Sequence, residues 1–138
     1  MYGSAYQVAT AAVYSHVQLW NPTTDVNVVV TGIDLAASAA GEVVMAGHDT
    51  ALATAQAYYS GNALIGSAVR YGIPRAEAAA AISSAYGVLK FVQIAVNTPL
   101  VLPMTGPLVI PPGKGVLFRH SVVNTTLNAN FEWFEEAV

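Results

Sequence analysis

Three histidines, His16, His48 and His120, are the side chains in this sequence best suited to hold a metal or move a proton near neutral pH. Their spacing does not gather them. No H-x-H pair or HExxH stands in the chain, so they read as three separate residues, with His120 on the face shared by Val116, Phe118 and Val122. The absence of cysteine removes thiol nucleophiles, disulfides and thiolate metal sites together. Lys114 within Pro-Pro-Gly-Lys-Gly looks at first like a phosphate loop. That motif needs glycine five residues before the Gly-Lys pair and Ser or Thr after the lysine, and those positions hold Leu108 and Gly115. Ser38, Ser60, Ser67, Ser83 and Ser84 belong to no G-x-S-x-G elbow. A carboxylate pair for sugar hydrolysis would have to come from Asp25, Asp34, Glu42, Asp49, Glu77, Glu132, Glu135 and Glu136. The last three read as a solvated edge and tail. Asp34 stands out, because it interrupts an apolar strand, and a hydrogen bond at a strand end is its ordinary use. The expectation is a protein with no catalytic residues, no metal and no cofactor.

Tyrosine is the remaining chemistry. Tyr58, Tyr59, Tyr71 and Tyr86 cluster in the middle of the chain, where phenol rings offer broad amphipathic contact to a protein or a sugar, and they are the candidate partner-binding residues. Core packing and loop anchoring are the competing use of the same rings.

The elements that must position these residues are strands. Residues 127–134 alternate Leu127, Ala129, Phe131 and Trp133 with Asn128, Asn130 and Glu132, the period-2 pattern of a strand with one buried face. Pro112-Gly113 suits the centre of a type II turn, so a strand starts near Val116. The Asn124-Thr125-Thr126 turn then makes residues 116–134 read as a C-terminal hairpin. Further strands are expected at residues 16–20, 26–35, 42–48, 88–96 and 100–102. Residues 1–15 show no stable period and read as an N-terminal arm. Residues 49–87 form a loop-rich, alanine-rich insertion. Within it residues 50–59 suit either a helix or an extended strand, and residues 74–82 predict a short helix opened by Pro74 and closed by Gly87. About eight strands punctuated by Gly, Pro and Asn point to an all-β fold, an antiparallel β-sandwich or jelly roll spanning residues 16–138 as one domain, with at most one or two short helices.

Composition bounds the partners. With 54% hydrophobic and only 9% charged residues in 138, part of the surface is expected to be covered by copies of the same chain or by a partner. Five Lys and Arg against eight acids leave no basic stripe for nucleic acid. No apolar run approaches the ~20 residues of a spanning helix, so no membrane is expected, and the N-terminus lacks a basic leader with an apolar segment.

Two ends of the chain carry a resemblance. Val17-Gln18-Leu19-Trp20-Asn21-Pro22 opens the domain on an Asn-Pro turn. Leu108-Val109-Ile110-Pro111-Pro112-Gly113-Lys114-Gly115, the Asn124-Thr125-Thr126 turn and Asn128-Ala129-Asn130-Phe131-Glu132-Trp133 close it. In these the chain resembles small β-sandwich virion structural proteins of tailed bacteriophages. The resemblance implies a non-enzymatic, oligomeric capsid decoration or fibre component, such as a trimer, that contacts other virion proteins such as the capsid shell. It also implies a location on the virion after synthesis in the host bacterial cytoplasm. A carbohydrate- or receptor-binding sandwich of a tail fibre is the alternative it implies, and no catalytic residue follows from either.

Overall fold

A computed structural model describes residues 1–56, 72–82 and 86–138. The described residues form eleven strands and no helix: β1 Tyr2–Val8, β2 Tyr14–Asn21, β3 Val26–Ala37, β4 Gly41–His48, β5 Thr54–Ala55, β6 Ile73–Ala79, β7 Val88–Ile94, β8 Leu100–Val101, β9 Leu108–Ile110, β10 Lys114–His120 and β11 Thr126–Ala137. They make two antiparallel sheets packed face to face, a β-sandwich. One sheet has the order β1-β11-β3-β8 with β9 also on β3; the other runs β5-β6-β2-β10-β4-β7. The pairing is nested. β1 pairs with β11, β2 with β10, β3 with β8 and β9, and β4 with β7, so the chain folds back on itself and wraps between the sheets as in a jelly roll. β5 and β6 extend the second sheet beyond β2.

The strands follow from their hydrophobic patterns. On β11, Leu127, Ala129, Phe131 and Trp133 all point into the core. Its partner β3 buries Val28 and Val30 and then Ile33, Leu35 and Ala37, so the inward phase slips by one residue. A bulge absorbs the slip: Glu132 pairs with Gly32 and Trp133 with Val30, which leaves Thr31 as the extra residue. Facing them from the other sheet are Val17, Leu19, Val43, Met45, Val116 and Phe118. The β9–β10 link is the expected type II turn, with Gly113 at φ 68° and the Lys114 N–H donating to the Pro111 carbonyl at 3.2 Å.

Three expectations are corrected. β10 and β11 do not form a hairpin: they lie in opposite sheets, and Phe118 meets Phe131 across the core with ring centroids 6.1 Å apart. A tight turn serves an arch between sheets as well as it serves a hairpin, and Asn124, at φ 56°, supplies it while accepting the Ala12 N–H at 2.8 Å on its side-chain oxygen. Residues 74–82 contain no helix. β6 runs antiparallel to β2 from Ile73 opposite Trp20 to Ala79 opposite Tyr14. The alanine helix preference amounts to tenths of a kcal/mol per residue, and a seven-residue ladder against an open strand edge, with Ala76 fully buried, outweighs it. The N-terminal arm is a strand as well. β1 lacks the usual signal because its inward residues include Gly3 and Ala5 while Tyr2 and Tyr6 face out, the reverse of a typical alternation.

Candidate functional site

Of the four tyrosines singled out by sequence, Tyr58, Tyr59 and Tyr71 lie outside the described residues. Tyr86 is described and more than half exposed. It lies over the end of β4, where a side chain at Gly47 would start 3.1 Å from the Tyr86 Cβ. The Lys114 ammonium sits 5.0 Å from the centroid of the Tyr86 ring, within cation–π range. The Lys114 pKa is raised from its ordinary value, chiefly by hydrogen bonding to the Tyr86 side chain.

Tyr86 and Lys114 rim a cleft of about 240 Å³ lined by Leu89, Leu108, Ile110 and Val116. The cleft opens where β7 of one sheet and β9 of the other diverge. Among the described residues β7 pairs only with β4, which puts it at the edge of the sheet. A register shift beside Met45 and Ala46 leaves Leu89 without an opposed residue. The opposing sheet ends on β8 and β9, of two and three residues, too short to cover β7. Leu89 is therefore 52% exposed, beside the half-exposed Val109, while Val88 and Phe91, paired with Ala46 and Val44 on the outer face of the same sheet, are 46% and 60% exposed. Lys90 is the one charge on the strand, and its ammonium lies 3.4 Å from the Pro103 carbonyl. An uncapped, apolar edge of this kind favours association over chemistry. Sequence reading passed it over, although a signal was present: Val88-Leu89-Lys90-Phe91-Val92 does not alternate, so apolar residues fall on both faces of a strand at the rim.

The histidines are spent on the backbone. His16 Nδ1 donates to the Tyr14 carbonyl at 3.2 Å and Nε2 accepts from the Ile82 N–H at 3.4 Å. Burial, the largest cause, lowers its pKa below the ordinary value of 6.5, with the Arg119 charge adding to the shift. His48 Nδ1 donates to the Thr50 carbonyl at 2.7 Å. His120 Nε2 donates to the Ala39 carbonyl at 3.0 Å while Nδ1 accepts the Val122 N–H at the same distance. They sit on three strands, and no group of three His, Asp or Glu side chains converges among the described residues.

Gln18 shows what the outer face of the second sheet is for. Although it points away from the core it is fully buried, because the segment after β4 crosses over it. Its Oε1 accepts the Leu52 N–H and its Nε2 donates to the Thr50 carbonyl, both at 2.9 Å. Asn21, also fully buried, ties the sandwich together at the other end of β2. Its Nδ2 donates to the Val26 carbonyl at 2.7 Å and the Ile110 carbonyl at 2.9 Å, and its Oδ1 accepts from the Thr23 hydroxyl at 2.8 Å. Comparisons with protein-family models, curated proteins and solved structures return no match for this chain.

Proposed function

We propose that this protein is a non-enzymatic structural subunit that associates with copies of itself, and that it is a virion component of the tailed-phage type, a capsid decoration or fibre protein. The observation that carries the first half is the uncovered β7 edge. Around the cleft Tyr86, Leu89 and Val109 present on the order of 300 Å² of surface, and Val88 and Phe91 extend the apolar surface onto the outer face of the second sheet. The cleft part alone reaches the size of a functional patch on a monomer, and a partner that also covered the outer face of β7 would come closer to the ~800 Å² that each side gives to a standard interface. Closed cyclic association, a trimer included, would bury this edge in every copy without open growth. The second half rests on the resemblance of the two chain ends and on a jelly-roll wrapping of the kind used in viral shells, which is an argument from fold analogy. The non-enzymatic reading draws support from histidine rings engaged with backbone groups and from a cleft lined by apolar side chains. On this reading Tyr86 belongs to a subunit contact, since with Lys114 it rims an otherwise apolar cleft. Host cytoplasm is the site of synthesis and the particle the destination.

Sedimentation of the purified protein tests the first half. The wild type should run as an oligomer, and Phe91→Glu and Leu89→Asp should run as folded monomers; a monodisperse wild-type monomer would end the association reading. For the second half, antibody against the protein should decorate particles released from cells that make it. Intact particles that carry none of it would refute a place on the virion.

A further inference from the structure

The outward face of the other sheet carries a second depression, of about 300 Å³ and of different chemistry. Ser4, Asn130 and Asp34 stand in register across β1, β11 and β3, and the next row outward is Tyr2, Glu132 and Gly32. Gly32 opens the floor. A Cβ there would lie 3.4 Å from both Cβ and Oε2 of Glu132, so glycine leaves a hollow beneath that carboxylate, beside the Thr31 bulge. The Ser4 hydroxyl donates to Asn130 Oδ1 at 2.7 Å, which orients the amide and leaves Nδ2 as a donor for an incoming group. Tyr2 and Tyr6, 52% and 53% exposed, flank this row on the same face of β1. Four residues apart, they are separated by about 13 Å along the strand, longer than one pyranose ring.

Asp34, the acid that interrupts an apolar strand, is the centre of the arrangement. It is half-buried, and neither its carboxylate nor that of Glu132 has a hydrogen bond or ion pair among the described residues. The oxygens of both carboxylates reach solvent, so they are acceptors open to an incoming donor. Sugar hydroxyls are such donors. Carboxylates accept from them, the Asn130 amide donates to ring or hydroxyl oxygens, and exposed phenol faces stack on the C–H faces of a pyranose. Among the described residues neither lysine nor arginine lines the depression, so its two negative charges repel uronates, sialates and phosphosugars. A calcium ion would need six or more oxygen ligands, and Asn130 Oδ1 is already engaged by Ser4. We infer that this face is a binding site for a neutral oligosaccharide, which stacks on Tyr2 and Tyr6 and donates hydroxyls to Asp34 and Glu132. This inference stands on a different sheet from the β7 edge and does not depend on the assembly reading.

The test is a panel of neutral gluco-, galacto-, manno- and N-acetylhexosamine oligomers, with uronate and sialylated counterparts, screened on an array and followed by titration calorimetry. At least one neutral oligomer should bind at micromolar to millimolar concentration, with its acidic counterpart bound more weakly. Tyr6→Ala and Asp34→Asn should each weaken that binding about tenfold or more, the loss of one stacking or charge-assisted contact. Both positions lie on the outer face, and circular dichroism should confirm that both variants fold. Binding should persist in a chelator. The inference is overturned if no neutral oligomer binds at millimolar concentration, if both variants bind as the wild type does, if acidic sugars bind better, or if a chelator abolishes binding.

Discussion

Gly3 and Trp133 are packed so closely that a methyl group built on Gly3 would lie 2.8 Å from indole Cη2, and equally close to Pro74 of the other sheet. The indole is held on its far side too. A Cβ at Gly72 would meet Nε1 at 2.9 Å, and Glu135 Oε1 accepts both the indole N–H at 3.2 Å and the Gly72 N–H at 3.1 Å. Two glycines, one on β1 and one just before β6, thus make the slot that lets a 1%-exposed tryptophan bridge the sheets.

Gly3→Val should therefore lower unfolding free energy by about 1–3 kcal/mol through overpacking, and Trp133→Ala by about 3–5 kcal/mol through the cavity it leaves. Urea titration followed by circular dichroism measures both. An unchanged midpoint for Gly3→Val would mean the indole has room to move.

Stability should fall on mild acidification because of His16. Its pKa is below 6.5 in the fold, chiefly from burial, and near 6.5 in the unfolded chain. Between those values the unfolded state binds a proton that the folded state does not. Stability then rises with pH across that window, is complete above about pH 6.5, and is lost as pH falls toward the folded value. Urea midpoints from pH 8 downward should show the drop, and His16→Gln should flatten it. An identical slope in that variant would assign the effect elsewhere.

Gln18→Leu should destabilise by about 1–3 kcal/mol, since it strips the Leu52 N–H of its acceptor in a buried position. The Thr50 carbonyl keeps His48, so the loss is confined to one group. Limited proteolysis should show faster cutting near Ala53 in the variant. Protection equal to the wild type would argue that the crossing segment holds without Gln18.

Gly113→Ala should cost about 1–2 kcal/mol purely through the backbone, because the residue sits at φ 68° with nothing within 4 Å of a new Cβ. Gly106, equally uncrowded but without a positive φ, should accept alanine at no measurable cost. Thermal melts of the pair separate conformational strain from packing.

How far the strands could be read in advance depended on where each one lies. β11 and β3 were legible because both carry long inward rows, and even the bulge is written in β3 as the slip from Val28 and Val30 to Ile33 and Leu35. β1 was hidden because the indole opposite occupies the space its side chains would otherwise fill. The candidate surface was half legible. Tyr86 is conspicuous as an aromatic residue, whereas the exposure of Leu89 and Phe91 depends on the place of β7 at the rim of its sheet, which no pattern within residues 88–96 records.

Local physics by itself determined the all-β class, the Pro112-Gly113 turn and the inward face of β11, because alternation and φ restriction act within a few residues of the chain. Only the tertiary structure decided whether neighbouring strands pair or face one another. Phe118 and Phe131 could have sat side by side in a hairpin with the same sequence and the same turn; they meet across the core because β10 finds its ladders with β2 and β4, and β11 with β1 and β3. The same holds for the alanines of β6, whose weak helix preference yields to an open edge that exists only once β2 is in place. Hydrogen-bond partners distant in sequence are a property of the assembled sheets, and no pattern within one strand encodes them.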